Sequence, residues 1–396
     1  MMQPVILIIN AGSSSIKFAL FSAQDTECLF RGQVAGIGSG HKAHFSLLET
    51  QHNRCLHSDE RTIQNHQQAL QLILSNLAEQ LTHLHLIAAG HRIVHGGSQL
   101  TSPVIIDEDI FKQLQQLIPL APLHQPHNLI AIEALKTLQP DLIQVACFDT
   151  AFHQSQPEVA KRFALPKALY QEGIRHYGFH GLSYQYIARV LPDYSETAAT
   201  GRTVIAHLGQ GCSLCALLNG KSIATTMSFT PLDGLPMGSR CGSIDPAIVL
   251  YLMREKNLNA DDISDLLHNR SGLLGLSGIS ADMKTLLDSP HVDAQTAIDV
   301  FIYQVCKAVG AMVATLQGLD SLVFTGGIGE HAAVIRQRIC QNLHWLGIKL
   351  DEGANQQQAD NISTPDSSVS VWVIPTNEEQ IIAYETIQLA LGGNRE

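Results

Sequence analysis

Residues 5–20, VILIINAGSSSIKFAL, constrain the fold more than any other stretch. An apolar run of strand length stops at Asn10, passes through small residues, and resumes with Ile16, Phe18 and Leu20 at alternate positions. That is how a buried strand entering a hairpin reads. Gly12, Ser13, Ser14 and Ser15 carry little side-chain bulk, so backbone N–H groups and hydroxyls can close on a phosphate, with Lys17 supplying charge just beyond. An ordinary Gly-Ser turn has the same composition.

Residues 203–217, TVIAHLGQGCSLCAL, repeat the strand, the small-residue turn and the second strand, which sets Ser213 in register with Ser15. Two such hairpins predict a duplicated α/β fold. One phosphate hairpin from each half, facing a common cleft, is a sound way to hold a nucleoside triphosphate.

At 396 residues the chain has room for two or three domains, and 45% hydrophobic residues exclude a disordered class. A net charge of -11 draws the molecule toward neither nucleic acid nor an anionic membrane, so any anion site must be built locally. No segment reads as a targeting signal and no run approaches a membrane span, so a cytoplasmic location is expected. The eight scattered cysteines fit free thiols in a reducing compartment. Cys212 and Cys215 form a C-x-x-C, but on a strand they point to opposite faces, which argues against a metal or redox role.

Residues 62–81 show the apolar spacing of an amphipathic helix, ending at Leu81. A strand then runs into His91, Arg92, His95 and a Gly-Gly pair, where a guanidinium fork could take a carboxylate or phosphate. A helix is expected over 128–138. The apolar run 142–148 ends in Asp149, which reads equally as a catalytic carboxylate at a strand end or as a helix cap. A loop with His176, Phe179 and His180 precedes a helix over 184–190, and polar residues 192–202 lead into the second hairpin.

The long loop 229–246 carries Arg240 as its one cation, and long ordered loops are disproportionately functional. Residues 321–330 read as a strand opening into a glycine turn, followed by a helix over 332–343. Gly327, Gly329 and Ala332 satisfy a dinucleotide fingerprint formally, but too little chain follows for the further βα units it needs; a turn approaching an adenine nucleotide fits better. Lys221 and Ser222 do not complete a P-loop, because Cys215 stands where its first glycine belongs.

With these pieces in order the chain closely resembles the acetate kinase family, in the superfamily of sugar kinases, heat-shock chaperones and actin. The resemblance rests on NAGSSS at 10–15, HRIVHGG at 91–97, FDTAFH at 148–153, YGFHG at 177–181, MGSR at 237–240, GGIGE at 326–330 and TNEE at 376–379. It implies two duplicated ribonuclease-H-like domains with an interdomain cleft. Residues 1–150 would form the first, residues 151–381 the second, with a helix at 382–396 packing back on the first. It also implies a homodimer and Mg²⁺-dependent transfer, with Mn²⁺ as an alternative ion, of the ATP γ-phosphoryl to acetate, reversibly giving acetyl phosphate and ADP.

Carried over by position, the resemblance gives Arg92 and Arg240 to the substrate carboxylate and transferring phosphoryl, and His180 to a phosphoryl oxygen. Asp149 is the acidic catalytic position, assigned to orienting Arg92 or the metal, since acetate is already a nucleophile. Asn10 and Glu378 match the metal positions. Nucleotide contacts fall on Lys17, on His207, Leu208, Gly209, Gln210 and Gly211, on Asp282, Met283 and Lys284, and on Gly327, Ile328, Gly329, Glu330 and His331. Val94, Leu123, Phe179 and Pro231 would line the methyl pocket, where the valine favours acetate over propionate.

Gln210, Ser243, Lys284 and His331 depart from the family's usual Asn, Asp, Arg and Asn. These departures bear on nucleotide affinity more than on reaction type. The competing readings are a propionate or butyrate kinase, and a catalytically silent nucleotide-dependent switch of the same superfamily.

Overall fold

The computed structural model describes residues 2–38, 40–80 and 83–392. The chain divides into two units. One holds the chain up to Ala151 together with the segment from Asn377 onward; the other is Phe152–Thr376.

The first unit is built on eight strands: β1 (Gln3–Ala11), β2 (Ser15–Ser22), β3 (Cys28–Ala35), β4 (Ala43–Glu49), β5 (Arg54–Arg61), β6 (Leu84–Ile93), β7 (Val104–Ile105) and β8 (Ile143–Phe148). They lie in the order β5-β4-β3-β2-β1-β6-β8-β7. β1 to β5 pair antiparallel in sequence, while β6 and β8 run parallel to β1. Val5 to Ile9 are all buried, as expected of a central strand covered on both faces. Val5, Leu7 and Ile9 join Leu70, Ile73 and Leu77 of helix His66–Gln80 in one core.

The C-terminal helix Glu378–Gly392 covers the opposite face. It presses so close to β6 that a Cβ at Gly90 would lie 2.2 Å from Thr386 Oγ1. The helix begins before residue 382 because the Asn377 side chain accepts from Gln380 N and two acidic residues occupy its first turn. Residues 393–396 of the expected segment, and Leu81 at the end of the expected amphipathic helix, lie outside the described residues.

The second unit carries β9 (Arg202–Leu208), β10 (Cys212–Leu218), β11 (Lys221–Thr225), β12 (Ser321–Thr325) and β13 (Ser370–Val373), ordered β11-β10-β9-β12-β13. Three antiparallel strands are followed by two parallel to the first, which is the pattern of β3-β2-β1-β6-β8. The fold is therefore the duplicated ribonuclease-H-like one. The two hairpins are not in the expected register. The first closes at Ala11 opposite Ile16 and the second at Leu208 opposite Cys212, a shorter turn, so Ser213 opposite His207 corresponds to Lys17 opposite Asn10 rather than to Ser15.

Helix Val292–Leu316 corrects the expectation that no run approaches a membrane span. It is long and apolar enough by length and composition, with a hydropathy of 1.5 over its best window. Its apolarity is used inside the unit, where it packs on β9, β10 and β11 and buries Ala297, Ile298, Phe301, Val305 and Val309. Cys212 and Cys215 are buried free thiols, both pushed up to about 12 by burial, and among the described residues no group of three or more His, Cys, Asp or Glu could hold a metal ion.

Several helix boundaries differ from the sequence reading. The glycine turn after β12 is a short helix, Gly326–His331, followed by Ala333–Asn342. Residues 192–202 contain the helix Glu196–Thr200, capped by the Ser195 hydroxyl. The helix expected at 184–190 runs from Gly181 to Tyr194, and that at 128–138 starts at Gln125 with Pro126 in its first turn, where its missing N–H costs nothing.

Candidate active site

In the first unit the functional side chains gather at the C-terminal ends of β1, β6 and β8. Arg92 lies near the end of β6 and Asp149 follows β8. Arg92 donates from Nε to Asp149 Oδ1 at 3.1 Å and from Nη2 to Oδ2 at 2.6 Å. Its Nη1 reaches Asn10 Oδ1 at 3.3 Å, and Glu378 Oε2 lies 3.7 Å from Nε. One guanidinium is thus ringed by oxygens from three separated stretches of chain.

Burial works against the charge on Arg92, but Asp149 and Glu378 hold it in its ionised form well above the ordinary value. Burial pushes the Glu378 carboxyl up, opposed by Arg92. Lys17, opposite Asn10 on the hairpin, is exposed and also lowers Glu378. Asn128 ties the cluster's backbone together: its Nδ2 donates to Ala11 O at 2.8 Å and its Oδ1 accepts from Val94 N at 3.2 Å. Behind Arg92, buried His91 meets Gln144 Oε1 at 2.8 Å.

In the second unit His180 precedes helix Gly181–Tyr194 in a left-handed conformation, φ 56°. Its Nδ1 lies 2.8 Å from Ser213 Oγ and its ring stacks on His207 at 4.3 Å. Arg240 donates from Nη1 to Pro231 O at 2.7 Å. A Cβ on Gly211 would come within 3.0 Å of both Arg240 Nη2 and His180 Nε2, so any side chain here would crowd both nitrogens. His153, buried and pushed down to about 4 by burial, holds Phe179 O through Nε2 at 2.9 Å.

Beside this cluster is a cavity of about 480 Å³. Gly209 and Gln210 line it from the second hairpin, Asp282, Met283 and Lys284 from one helix start, and Gly327, Ile328 and His331 from the short helix Gly326–His331. A cavity of this size, polar at its glycine turns, suits a nucleotide.

A family model described as the acetokinase family matches residues 5–384. The chain belongs to the acetokinase family. Acetate kinase from Rhodopseudomonas palustris (strain TIE-1) is 51% identical over 99% of this chain and 100% of its own length. Acetate kinase from Rickettsia typhi is 43% identical over 98% and 100%. Among solved structures, Porphyromonas gingivalis acetate kinase superposes with a TM-score of 0.87 at 35% identity, covering 98% of this chain and 99% of that one. A propionate kinase from Francisella tularensis gives 0.90 at 36%, covering 98% and 100%.

Within this acetokinase-family frame the expected site residues separate by unit. Asn10, Lys17, Arg92, Asp149 and Glu378 belong to the first, with Val94, buried, and Leu123, 45% exposed. His180, Arg240, Phe179, Pro231 and the cavity residues belong to the second. Six residues expected to contact nucleotide do not line the cavity, and one of them, Lys17, belongs to the first unit. His207 turns Nδ1 to Ser183 Oγ, Leu208 is fully buried, Gly211 sits by Arg240, and Gly329 packs on Phe324. Glu330 turns its carboxylate inward to accept from Gly326 N and Thr376 N. Asp282 lines the cavity while its carboxylate caps a helix by accepting from Thr285 N.

Two of the departures from the family pattern have local explanations, while Lys284 and His331 line the cavity and nothing in the structure explains them. The extra methylene of Gln210 carries its Oε1 against Gly238, where a Cβ would be 2.7 Å away. Ser243 donates to Asp233 Oδ1 at 2.6 Å, a place where a second carboxylate would repel. Asn128, His153, Ser213 and Tyr184 support the site through partners distant in sequence. Only the HQPHN run and the FDTAFH motif hinted at the first two.

Proposed function

We propose that this chain is a Mg²⁺-dependent acetate kinase, moving the ATP γ-phosphoryl to acetate and, in reverse, from acetyl phosphate to ADP. An acetate oxygen attacks the γ-phosphorus as the bond to the ADP oxygen breaks, in one in-line step. Acetate is ionised at neutral pH, so no proton has to be removed. The observation that carries this reading is the bidentate Arg92–Asp149 pair, which commits both Asp149 oxygens to a guanidinium and uses the acid to aim a cation rather than to act as a base.

In this reading Arg92, Arg240 and His180 serve the same phosphoryl group, meeting the charge on its equatorial oxygens. The cavity beside Gly209 and Gly327 takes the nucleotide. Asn10 and Glu378 offer oxygen donors, which suit Mg²⁺ or Mn²⁺, beside the Arg92–Asp149 pair. Bound there, the ion would offset phosphate charge. A silent switch would need the nucleotide cavity but not the Arg92 cluster. Val94 supports acetate over propionate by narrowing the methyl site.

A homodimer is part of the proposal. Helix Pro246–Glu255 has no buried residue and exposes Ile248, Leu250, Tyr251 and Met253, an apolar face suited to a second copy.

The experiment is hydroxylamine trapping of acyl phosphate with Mg²⁺, ATP and acetate, propionate or butyrate. Hydroxamate formed fastest from acetate supports the proposal. Preference for a longer acid would make it a different acyl kinase, and no product from any acid would make it a switch.

A further inference from the structure

His180 is held from three sides in the second unit. Its backbone follows Phe179, whose carbonyl accepts from His153 Nε2, and its ring rests on His207. Its Nδ1 is 2.8 Å from Ser213 Oγ, and Ser213 Oγ is 2.5 Å from the Tyr184 hydroxyl. Ser213 and Tyr184 are both fully buried.

One arrangement of protons gives every group in this chain a partner. Burial pushes the Tyr184 phenol well above its ordinary value, so it keeps its proton and must donate it. Ser213 Oγ is the acceptor in reach. A serine hydroxyl has one proton, which is then free to go to His180 Nδ1. Nδ1 becomes an acceptor, and the neutral imidazole carries its proton on Nε2, the nitrogen beside Gly211 and Arg240 Nη2. The reverse order, from Nδ1–H to Ser213 to Tyr184, strands a buried phenol proton without an acceptor, a costly arrangement.

We infer that Ser213 and Tyr184 are positioning residues that fix His180 in its Nε2–H tautomer, so that the neutral ring meets the phosphoryl group as a hydrogen-bond donor. The kinetic part of this inference rests on His180 serving the phosphoryl group; the tautomer does not.

The test uses the full chain labelled with ¹⁵N-histidine and read by long-range ¹H–¹⁵N correlation at neutral pH, with His180→Asn giving the assignment. The expected spectrum shows His180 protonated on Nε2, and Ser213→Ala shifts it toward a mixture of tautomers. In the kinetic arm, Ser213→Ala lowers kcat about 10- to 100-fold, the range typical of groups that orient a functional ligand, with KM for ATP and acetate within about twofold. Ser213→Thr, which keeps the hydroxyl, restores most of the loss. In a His180→Asn background Ser213→Ala has no further effect.

A wild-type His180 protonated on Nδ1 overturns the inference, even if no variant at Ser213 folds. So does an equal kcat loss for Ser213→Ala with and without His180. Failure of the wild type to phosphorylate any acid would instead overturn the proposed reaction, leaving the spectrum to decide the tautomer.

Discussion

Arg92 and Asp149 face each other fork to fork, with donor distances of 3.1 and 2.6 Å to the two oxygens of a carboxylate that is almost wholly buried. The pairing leaves Arg92 Nη1 directed at Asn10 and fixes the plane of the guanidinium. Asp149→Asn replaces one acceptor oxygen with a donor that faces another donor. We expect kcat to fall by about 10²-fold or more, the scale set by losing one aligned electrostatic group, with a smaller change in KM for ATP. Steady-state kinetics at saturating Mg²⁺ check this, and an unchanged kcat would remove Asp149 from the mechanism.

Arg240 donates from Nη1 to Pro231 O, and its Nη2 lies beside Gly211. Arg240→Ala should lower turnover by about 10³-fold or more while leaving ATP binding largely intact, because the nucleotide cavity is lined by other residues. Lysine at this position cannot anchor and present donors at the same time, so Arg240→Lys should recover little. Turnover and equilibrium ATP binding, measured on the same samples, separate the two effects.

The buried side chain of Val94 is fixed at its backbone by Asn128. Val94→Ala should raise kcat/KM for propionate relative to acetate by about 10-fold, within the 1–3 kcal/mol that small changes in an apolar pocket can supply. An unaltered ratio in competition assays would take Val94 out of the pocket.

His91, His95 and His153 are each held down to about 4 by burial, against an ordinary value of 6.5. The unfolded chain therefore binds protons that the folded chain does not as pH falls from 6.5 toward 4. Stability is complete above about 6.5 and is lost through that window, each histidine contributing on the order of 3 kcal/mol. Melting temperature should drop steeply between pH 6.5 and 4.5, and less steeply in His153→Gln. A flat profile would mean these rings gain protons without cost in the fold.

The strands and most site residues were legible because they lie in short apolar runs ending in polar or glycine-rich turns. Asn10, Arg92, Asp149 and Arg240 stand at such ends or in the one long loop. What was hidden depended on partners far away in sequence. The expectation that no run approaches a membrane span fails at Val292–Leu316 on length and composition alone; what depends on distant partners is the use of that apolarity, its packing on β9, β10 and β11. The short helix Gly326–His331 has the sequence of a turn because three of its six residues are glycines, poor helix formers; Glu330 stabilises its start by accepting from Gly326 N. Ser213 looked like a turn residue until the shorter second hairpin set it opposite His207. The sequence marks Tyr184 only as the start of a helix, although its hydroxyl reaches the residue that holds His180.

The most direct measurement is a crystal structure with Mg²⁺, ADP, aluminium fluoride and acetate, in which the planar fluoride stands in for the transferring phosphoryl. The account predicts Arg92 and Arg240 guanidinium nitrogens and His180 Nε2 all within hydrogen-bond distance of its fluorines, with Asp149 still forked to Arg92. A complex in which either arginine lies out of reach of the planar group, while ADP and acetate are bound, would contradict it.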